Sequence, residues 1–257
     1  MPPTILPASP DVFFYQSNFA IVTPMANEEN EFDEYTAALA AELDKIQSGR
    51  VYMVIDNVTK DRTLEMARAL SARDDRFVTI WAPENRNIVH AYLRGYREAL
   101  ANGHDIIIEM DAGLSHDPRA IPMFLRVLNE GNECAFGSRF INGGSIYKSN
   151  FKRTFLSKIG TYLSNILLGS TMQDMTSGYQ GFHANVVAEF MAYPLKSTAH
   201  FYQTELRYLL RKKRFAEIPI HYRAPSPSVS ENAIKNSLST LWHYFKLRLA
   251  GKAALIE

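Results

Sequence analysis

Three acidic residues follow predicted strands at the points where those strands end. Asp111 closes the apolar run "DIIIEMD", Asp56 closes "RVYMVID", and Glu28 comes three residues after "FAIVTPM". The carboxyl ends of parallel strands share one edge of a sheet, so we expect these carboxylates along one rim. Carboxylate oxygens suit Mg²⁺ or Mn²⁺, whose remaining ligands can come from a diphosphate and water. Asp111 is the metal ligand that this pattern predicts.

Each acid also has an ordinary structural interpretation. Asp111 fits a helix cap or a turn former, and its position alone supports that use equally well. Asp56 fits an Asx-turn, with Asp61 capping the next helix, and taken alone this is the better interpretation. Glu28 fits the first-turn charge of a helix. Only the placement of three acids at three strand ends of one sheet favours a functional site.

Basic residues offer possible phosphate contacts in the second half of the chain. Arg139 follows a buried strand in "FGSR" and needs an anionic partner, either a structural carboxylate or a phosphate. Arg153 lies near a helix start with Ser157 one turn beyond it, where a solvated helix face is the usual interpretation. The cluster at 211–214 indicates surface solvation first and attraction to anionic lipid second.

Other kinds of chemistry find little support in the sequence. The histidines show no metal-ligand spacing, and nothing resembles a nucleophilic Ser-His-Asp set. Cys134, the single cysteine, excludes an intrachain disulfide and fits a strand core in a reducing compartment.

The elements that must position these residues alternate regularly up to residue 140. Apolar runs predict strands at 19–25, 50–56, 77–82, 105–111 and 133–139. Helical spacing predicts helices at 31–47, 61–73, 88–103 and 118–131. This alternation indicates an α/β fold with a mainly parallel sheet and helices on both faces.

The pattern changes after residue 140. The segments predicted there are a glycine-containing loop at 141–150, a long amphipathic helix at 151–169, a turn with a short strand and helix at 173–191, a helix at 202–214, a strand at 215–224, a mobile loop at 225–237 and a final amphipathic helix at 237–251.

Bulk composition limits the classes of partner. The chain has 257 residues, 46% of them hydrophobic, and a net charge of +1. No global field therefore attracts nucleic acid or anionic lipid. No secretory signal and no apolar run of about 18 residues is found, so membrane association is expected only at the surface or through a partner.

Read in order, the motifs resemble family 2 of the inverting GT-A glycosyltransferases, and within it the dolichol/polyprenyl-phosphate mannosyltransferase type. "VTPMANEEN", "VIDNVTKDRT", "ENRNIVHAYLRGYREA", "IIIEMDAGLSHDP", "GSRFINGGS", "FKRTFLSKIG" and "DMTSGYQGF" match successive family stretches. The resemblance implies a GT-A (Rossmann-like) domain at 19–225, preceded by an extension at 1–18. Residues 226–257 would form the mobile loop and C-terminal amphipathic helix.

The resemblance also assigns roles to individual residues. Asp111 and Arg139 would be catalytic, Asp111 as the metal ligand. Arg139, Arg153 and Ser157 would hold the acceptor phosphate. The donor-binding residues would be Pro24, Glu28, Asp56, Asn85, Ala112, Gly113, Gln203 and Glu205. Of these, Pro24, Glu28 and Asp56 would hold the base and ribose, and Gln203 and Glu205 would line the donor sugar.

Several positions depart from the family pattern. Gly113 replaces the second acid of "D-A-D", Asn57 replaces the second acid of "D-D", and Val58 replaces the following glycine. "NRNIVHA" lacks the usual small residues, and "SPSVSENAIK" lacks the family's "G-x-S-K". Each change is tolerable, but together they allow an altered donor, weaker metal dependence or reduced activity.

The resemblance implies transfer of a mannose- or glucose-type hexose from a GDP- or UDP-sugar to a polyprenyl or dolichyl phosphate. Mg²⁺ or Mn²⁺ would be the cofactor. The enzyme would sit peripherally on the cytoplasmic membrane face, with a possible membrane-anchor partner protein and no nucleic acid. Two alternatives stay open, namely a family 2 enzyme with a saccharide or other soluble acceptor and a non-catalytic module that binds a nucleotide sugar.

Overall fold

The structure, a computed structural model, describes residues 18–46, 48–147, 151–223 and 231–256, and of residues 151–153 it describes only the helical backbone. The predicted extension at 1–18 therefore lies outside the described residues except for Asn18. Residues 225–230 of the predicted mobile loop also lie outside the described residues. The domain limits stay predictions.

The strands and helices alternate as the periodicity predicts. The strands are β1 (Phe19–Met25), β2 (Arg50–Ile55), β3 (Phe77–Trp81), β4 (Ile106–Glu109), β5 (Cys134–Ser138), β6 (Ser145–Tyr147), β7 (Gln180–His183), β8 (Phe215–Pro219) and β9 (His221–Arg223). The helices are α1 (Phe32–Ile46), α2 (Thr63–Arg73), α3 (Ile88–Ala101), α4 (Ile121–Asn129), α5 (Phe151–Leu168), α6 (Ala184–Met191), α7 (Tyr202–Leu209) and α8 (Glu231–Leu249).

A seven-stranded sheet in the order β3-β2-β1-β4-β7-β5-β8 forms the centre of the molecule. Neighbouring strands are parallel except β7, which runs antiparallel to both β4 and β5. The α/β fold class, with a mainly parallel sheet, is confirmed. Because β1, β2 and β4 are parallel neighbours, their carboxyl ends lie side by side.

Helices cover both faces of this sheet, which explains why its strands are almost continuously apolar. One face packs under α1, α2 and α4, and the other under α3, α6, α7 and α8. The side chain of Asn87 caps α3 by accepting the N–H of His90 at 3.0 Å. In the same helix, a Cβ at Gly95 would overlap Val22 of β1, so glycine is required for this close helix–strand approach.

The structure corrects several predictions for the second half of the chain. Helix α7 ends at Leu209, not at residue 214, and Lys213 beyond it pairs with Glu189 at 2.7 Å. The predicted strand at 215–224 is interrupted at Ile220, whose carbonyl accepts the N–H of Ser145. The chain thereby leaves the main sheet.

The strand β9 then pairs with β6, which the sequence had assigned to a loop. Helix α8 begins at residue 231, so the end of the predicted mobile loop is helical. It extends through the predicted final helix and ends at Leu249, two residues early.

Candidate active site at the sheet rim

The loops that follow β1 and β4 meet at the carboxyl edge of the sheet. The Oε2 atom of Glu28 lies 2.8 Å from the position that a Cβ on Gly113 would occupy. Gly113 has a φ of +72°, a left-handed conformation that side chains with a Cβ rarely adopt. The sequence prediction that Glu28 and Asp111 belong to one rim agrees with this contact.

The Asp111 carboxylate lies between a tyrosine and a histidine. Tyr92 donates its hydroxyl to Oδ1 at 2.6 Å, and Oδ2 lies 3.8 Å from Nε2 of His116. Burial alone would raise the pKa of Asp111, but His116, His200 and the Tyr92 hydroxyl hold that pKa below its ordinary value. The side chain is still 30% exposed. Asp111 is therefore an ionised carboxylate with access to a ligand.

Asp117, and not Asp111, caps the next turn of the chain. Capping was the structural role that the sequence left open for Asp111. Asp117 accepts the N–H of Arg119 at 3.0 Å and begins the 3₁₀ turn at 118–120. In the described chain, the hydrogen bond to the Asp111 carboxylate comes from Tyr92 instead. This difference favours the interpretation of Asp111 as a ligand-binding residue.

His116 supports Asp111 from inside the protein. Its Nδ1 accepts the backbone N–H of Asp111 at 3.1 Å, and its ring stacks on Tyr179 with centroids 4.8 Å apart. Because Nδ1 accepts this hydrogen bond, the ring hydrogen is on Nε2. Burial lowers the pKa of His116, while the Asp111 carboxylate acts in the opposite direction. Nε2 is buried and has no hydrogen-bond partner among the described residues.

Glu28 is held in place through its backbone, while its carboxylate faces other acids. Its N–H donates to Oγ1 of Thr63 at 2.8 Å. Burial raises the pKa of Glu28 to about 7, and the nearby charges of Glu31, Asp111 and Asp61 act in the same direction. A cation at this point would relieve the repulsion among these carboxylates.

The loop after β2 forms the next part of the rim. Oδ1 of Asp56 accepts the N–H of Val58 at 2.9 Å, which is the Asx-turn favoured for this acid taken alone. Asn57 donates Nδ2 to the carbonyl of Pro83 at 2.6 Å and so joins the β2 and β3 loops. The Nδ2 of Asn85 is buried and without a partner among the described residues.

Two other residues assigned to the donor lie beside these acids. Pro24 is a half-buried residue of β1 that pairs with Val54 of β2. Ala112 is 8% exposed and follows Asp111 directly. Their donor contacts stay predictions, as do those of Asp56 and Asn85.

The Arg139 guanidinium has a structural carboxylate as its partner. Its Nε donates to Oδ2 of Asp174 at 2.7 Å, and Nη2 donates to Oδ1 at 2.8 Å. Nη2 also donates to Oγ1 of Thr176 at 2.6 Å. Both members of the pair are buried. Of the two partners that the sequence left open, the structure contains the carboxylate, and a phosphate contact stays a prediction.

A second cation lies close to Arg139. Lys158 of α5 places Nζ 5.6 Å from the centre of the Phe140 ring, and the Arg139 guanidinium carbon lies 5.1 Å from the same centre. Ser157 is the adjacent half-buried residue of α5. The side chain of Arg153 lies outside the described residues, so the predicted phosphate triad is described only in part.

Gln203 and Glu205 are buried and have hydrogen-bond partners inside the protein. Gln203 is 4% exposed and donates Nε2 to Glu109 at 2.6 Å. Glu205 is fully buried and accepts the N–H groups of Lys196 and Ser197 at 2.6 and 2.8 Å. Their polar atoms therefore have interior partners, and their predicted contacts with the donor sugar stay predictions.

Sequence reasoning missed a buried polar cluster beneath Asp111. Glu109, two residues earlier on β4, accepts hydrogen bonds from Tyr96, Gln180 and Gln203. Burial raises the pKa of Glu109 to about 7, against hydrogen bonds from Tyr202, Tyr96 and Gln203 that lower it. The available signal was a glutamate inside the apolar run "IIIEM", because a buried acid requires polar partners.

An exposed apolar surface covers α5 and α8, which pack against each other. Its members, here called the α5–α8 surface, are exposed by 37–72% and comprise Phe155, Leu156, Ile159, Tyr162, Leu163, Ile166, Ile234, Leu238, Trp242 and Leu249. Arg248 joins the two helices by donating Nη1 to the carbonyls of Ile166 and Leu167. Within the described ranges, no helix has the length and apolar character needed to span a bilayer.

The α5–α8 surface begins beside Arg139 and the loop that supplies its partner Asp174. Thr161 of α5 accepts the N–H of Met175 at 3.1 Å, and Asn165 donates Nδ2 to the carbonyl of Met172 at 2.7 Å. The same loop supplies Asp174 to Arg139. Cationic groups and a broad apolar surface are therefore neighbours.

Comparison with known proteins identifies a family and related sequences. A model described as glycosyl transferase family 2 matches residues 20–190. The chain is 27% identical over 203 residues to polyprenol monophosphomannose synthase of Mycolicibacterium smegmatis, covering 78% of this chain and 77% of the relative. It is 26% identical over 195 residues to undecaprenyl-phosphate mannosyltransferase of Micrococcus luteus, covering 75% and 79%.

Solved structures share the fold. Glucosyl-3-phosphoglycerate synthase from Mycobacterium tuberculosis, in a complex with Mn²⁺, uridine diphosphate and phosphoglyceric acid, superposes with a TM-score of 0.62 at 14% identity. The superposition covers 94% of this chain and 80% of that one. At this identity the likeness establishes the architecture alone.

Proposed function

Given that the chain belongs to glycosyl transferase family 2, we propose that it transfers a hexose from a nucleotide sugar to the phosphate of a polyprenyl lipid. The observation that carries this proposal is the placement of Arg139 and Lys158 next to the α5–α8 surface. A phosphate joined to a long hydrocarbon needs cationic groups and apolar area at adjacent positions. The relatives named for polyprenol and undecaprenyl phosphate support the same acceptor class.

The proposed reaction is a single displacement with inversion. An oxygen of the acceptor phosphate attacks the anomeric carbon from the face opposite the nucleotide. The bond from that carbon to the diphosphate oxygen breaks, and its electron pair leaves with the nucleoside diphosphate. A phosphate is already anionic near neutral pH, so positioning matters more than a strong general base. Arg139 and Lys158 would orient the nucleophile.

The rim residues fit a divalent cation, either Mg²⁺ or Mn²⁺. Asp111 is ionised and accessible, and Gly113, which has no side chain, accommodates the Glu28 carboxylate beside it. A bound cation supplies positive charge to the leaving diphosphate. The described residues contain no set of three metal-ligating side chains, so diphosphate and water oxygens would have to complete the shell.

The α5–α8 surface would bring the enzyme to the cytoplasmic face of the membrane. Lys235 and Lys246 are exposed on α8, where they can contact anionic lipid headgroups. The apolar side chains would enter the boundary between headgroups and acyl chains. A membrane-anchor partner protein could occupy part of the same surface, and binding to protein-free phospholipid vesicles distinguishes these occupants.

A panel of donors and acceptors tests the proposed reaction. The purified chain would be incubated with GDP-mannose, GDP-glucose or UDP-glucose and Mn²⁺, each with a polyprenyl phosphate in detergent micelles or with 3-phosphoglycerate. Mass spectrometry would detect the hexosylated product. We expect a hexosyl phospholipid with one donor and none with the Asp111→Ala variant. Transfer to 3-phosphoglycerate alone would overturn the lipid assignment, and donor binding without transfer would indicate a binding module.

A further inference from the structure

The space beside Gly113 is filled by a side chain from another loop. A Cβ at residue 113 would lie 2.8 Å from Oε2 and 3.6 Å from Cδ of Glu28. An aspartate there would therefore crowd a like charge, and it would also have to adopt a φ of +72°. The Glu28 carboxylate thus lies at the place from which an aspartate side chain at position 113 would extend.

Glu28 has no cationic side chain as a partner in the described part of the chain. Its backbone N–H donates to Thr63, and the charged groups around its carboxylate are the acids Glu31, Asp111 and Asp61. A half-buried carboxylate among acids is unfavourable unless a cation joins them.

Asp111, the other acid of this rim, is held in position by a buried histidine. His116 is buried, and its Nε2 lacks a hydrogen-bond partner among the described residues while lying 3.8 Å from Oδ2 of Asp111. Its Nδ1 accepts the backbone N–H of Asp111, which fixes the ring. His116 and Tyr92, which donates to Oδ1 at 2.6 Å, thereby fix the Asp111 carboxylate, whose side chain is still 30% exposed.

We propose that Glu28 and Asp111 together bind the divalent cation, with Glu28 supplying the second carboxylate that position 113 lacks. The proposal rests on the proposed function only for the diphosphate that would share the cation. It gives Glu28 a role different from the base and ribose contact that the family resemblance implies. Two carboxylates, diphosphate oxygens and water make a shell of the kind that Mg²⁺ and Mn²⁺ accept.

A Mn²⁺ titration followed by electron paramagnetic resonance tests this pair without any sugar transfer. The signal of free aqueous Mn²⁺ would be recorded with the purified chain alone and with added GDP or UDP. We expect Glu28→Gln and Asp111→Asn each to weaken Mn²⁺ binding about tenfold or more. The matched control Glu31→Gln removes a neighbouring charge and should change the affinity by less than about twofold.

A paired variant keeps the test decisive if the glutamine variant disturbs the loop. Glu28→Ala removes the carboxylate and its bulk, and Glu28→Ala with Gly113→Asp returns a carboxylate from the other loop. We expect the first to lose Mn²⁺ affinity and the second to regain part of it, since aspartate tolerates a left-handed conformation better than most residues. Circular dichroism melts would verify folding.

Mn²⁺ affinity within about twofold of the unsubstituted chain in both Glu28→Gln and Glu28→Ala would overturn the proposal. Because neither acceptor nor transfer is involved, failure of the proposed lipid substrate would leave this result intact. Conversely, hexosyl transfer with unchanged Mn²⁺ binding in the Glu28 variants would reject the cation pair while keeping the enzyme assignment.

Discussion

The rim at the carboxyl ends of β1, β2 and β4 differs from the region after β5 in how its charged side chains are paired. At the rim, the Glu28 carboxylate approaches Gly113 in the loop after Asp111, and among the described residues the charged groups around it are acids. After β5, Arg139 is paired with Asp174, while the apolar side chains of α5 and α8 remain exposed. We expect a cation with its diphosphate to bind in the first region and a lipid to bind in the second.

The largest effect is expected from the substitution Asp111→Ala. It should reduce sugar transfer by about a thousandfold or more, because it removes the ionised rim carboxylate. The melting temperature should move by less than about 3 °C, since the side chain is partly exposed. Product formation and thermal unfolding would be measured together. Asp75→Ala, which removes an exposed acid near the start of β3, should retain activity, and full activity in Asp111→Ala would refute the metal-site assignment.

The second prediction concerns the opposite region. Asp174→Ala leaves the buried Arg139 guanidinium without its carboxylate and should lower the free energy of unfolding by about 3–5 kcal/mol. Urea unfolding would measure this loss. Glu130→Ala, whose partner Arg126 is 62% exposed, should cost less than about 1 kcal/mol. Equal losses of unfolding free energy in the two variants would mean that the Arg139–Asp174 pair stabilises the protein no more than an exposed ion pair does.

Two glycine substitutions sharpen the contrast in packing. Gly95→Ala should lower the free energy of unfolding by about 1–3 kcal/mol, because the new Cβ overlaps Val22. Gly160→Ala should raise it by about 0.5–1 kcal/mol, because its Cβ would meet Thr176 at an ordinary 3.4 Å and alanine favours the helix. Urea unfolding of both variants checks the signs. Stabilisation by Gly95→Ala would contradict the close approach of α3 to the sheet.

The smallest effect is expected at the membrane. Leu156→Glu or Leu238→Glu places a charge on the α5–α8 surface and should weaken binding to anionic phospholipid vesicles about tenfold. Cosedimentation would measure the affinity. Met123→Glu on α4 changes an exposed apolar residue on another element and should leave binding unchanged. No decrease in either leucine variant would favour a protein partner on this surface.

Local signals predicted the first half of the fold. Helical and strand periodicity identified each element up to β5 within a few residues. The antiparallel direction of β7 was not predictable in this way, because pairing with β4 and β5 is set by distant parts of the chain. The interruption at Ile220 depends on Ser138 and Ser145 and was missed for the same reason.

The candidate site was also predictable only where local patterns or chain topology determine it, and not where long-range packing does. The strand-end rule correctly grouped Glu28 with Asp111 because the chain topology alone determines which ends are adjacent. It could not identify the partner of Arg139, which lies 35 residues away in Asp174. Nor could it show that Gln203 would turn inward to Glu109, because that choice depends on three-dimensional packing.

The position of β7 also has a consequence for the order in which the molecule folds. The strands β4 and β5 are not neighbours, since β7 lies between them and comes from residues 180–183. During synthesis β1 to β4 can pair as soon as they emerge, whereas β5 has to wait for Gln180–His183 and then for Phe215–Pro219. Such long-range pairing is slow and leaves strand edges open to association. The interval between the emergence of β5 and β7 is therefore the stage at which the nascent chain most needs protection from aggregation.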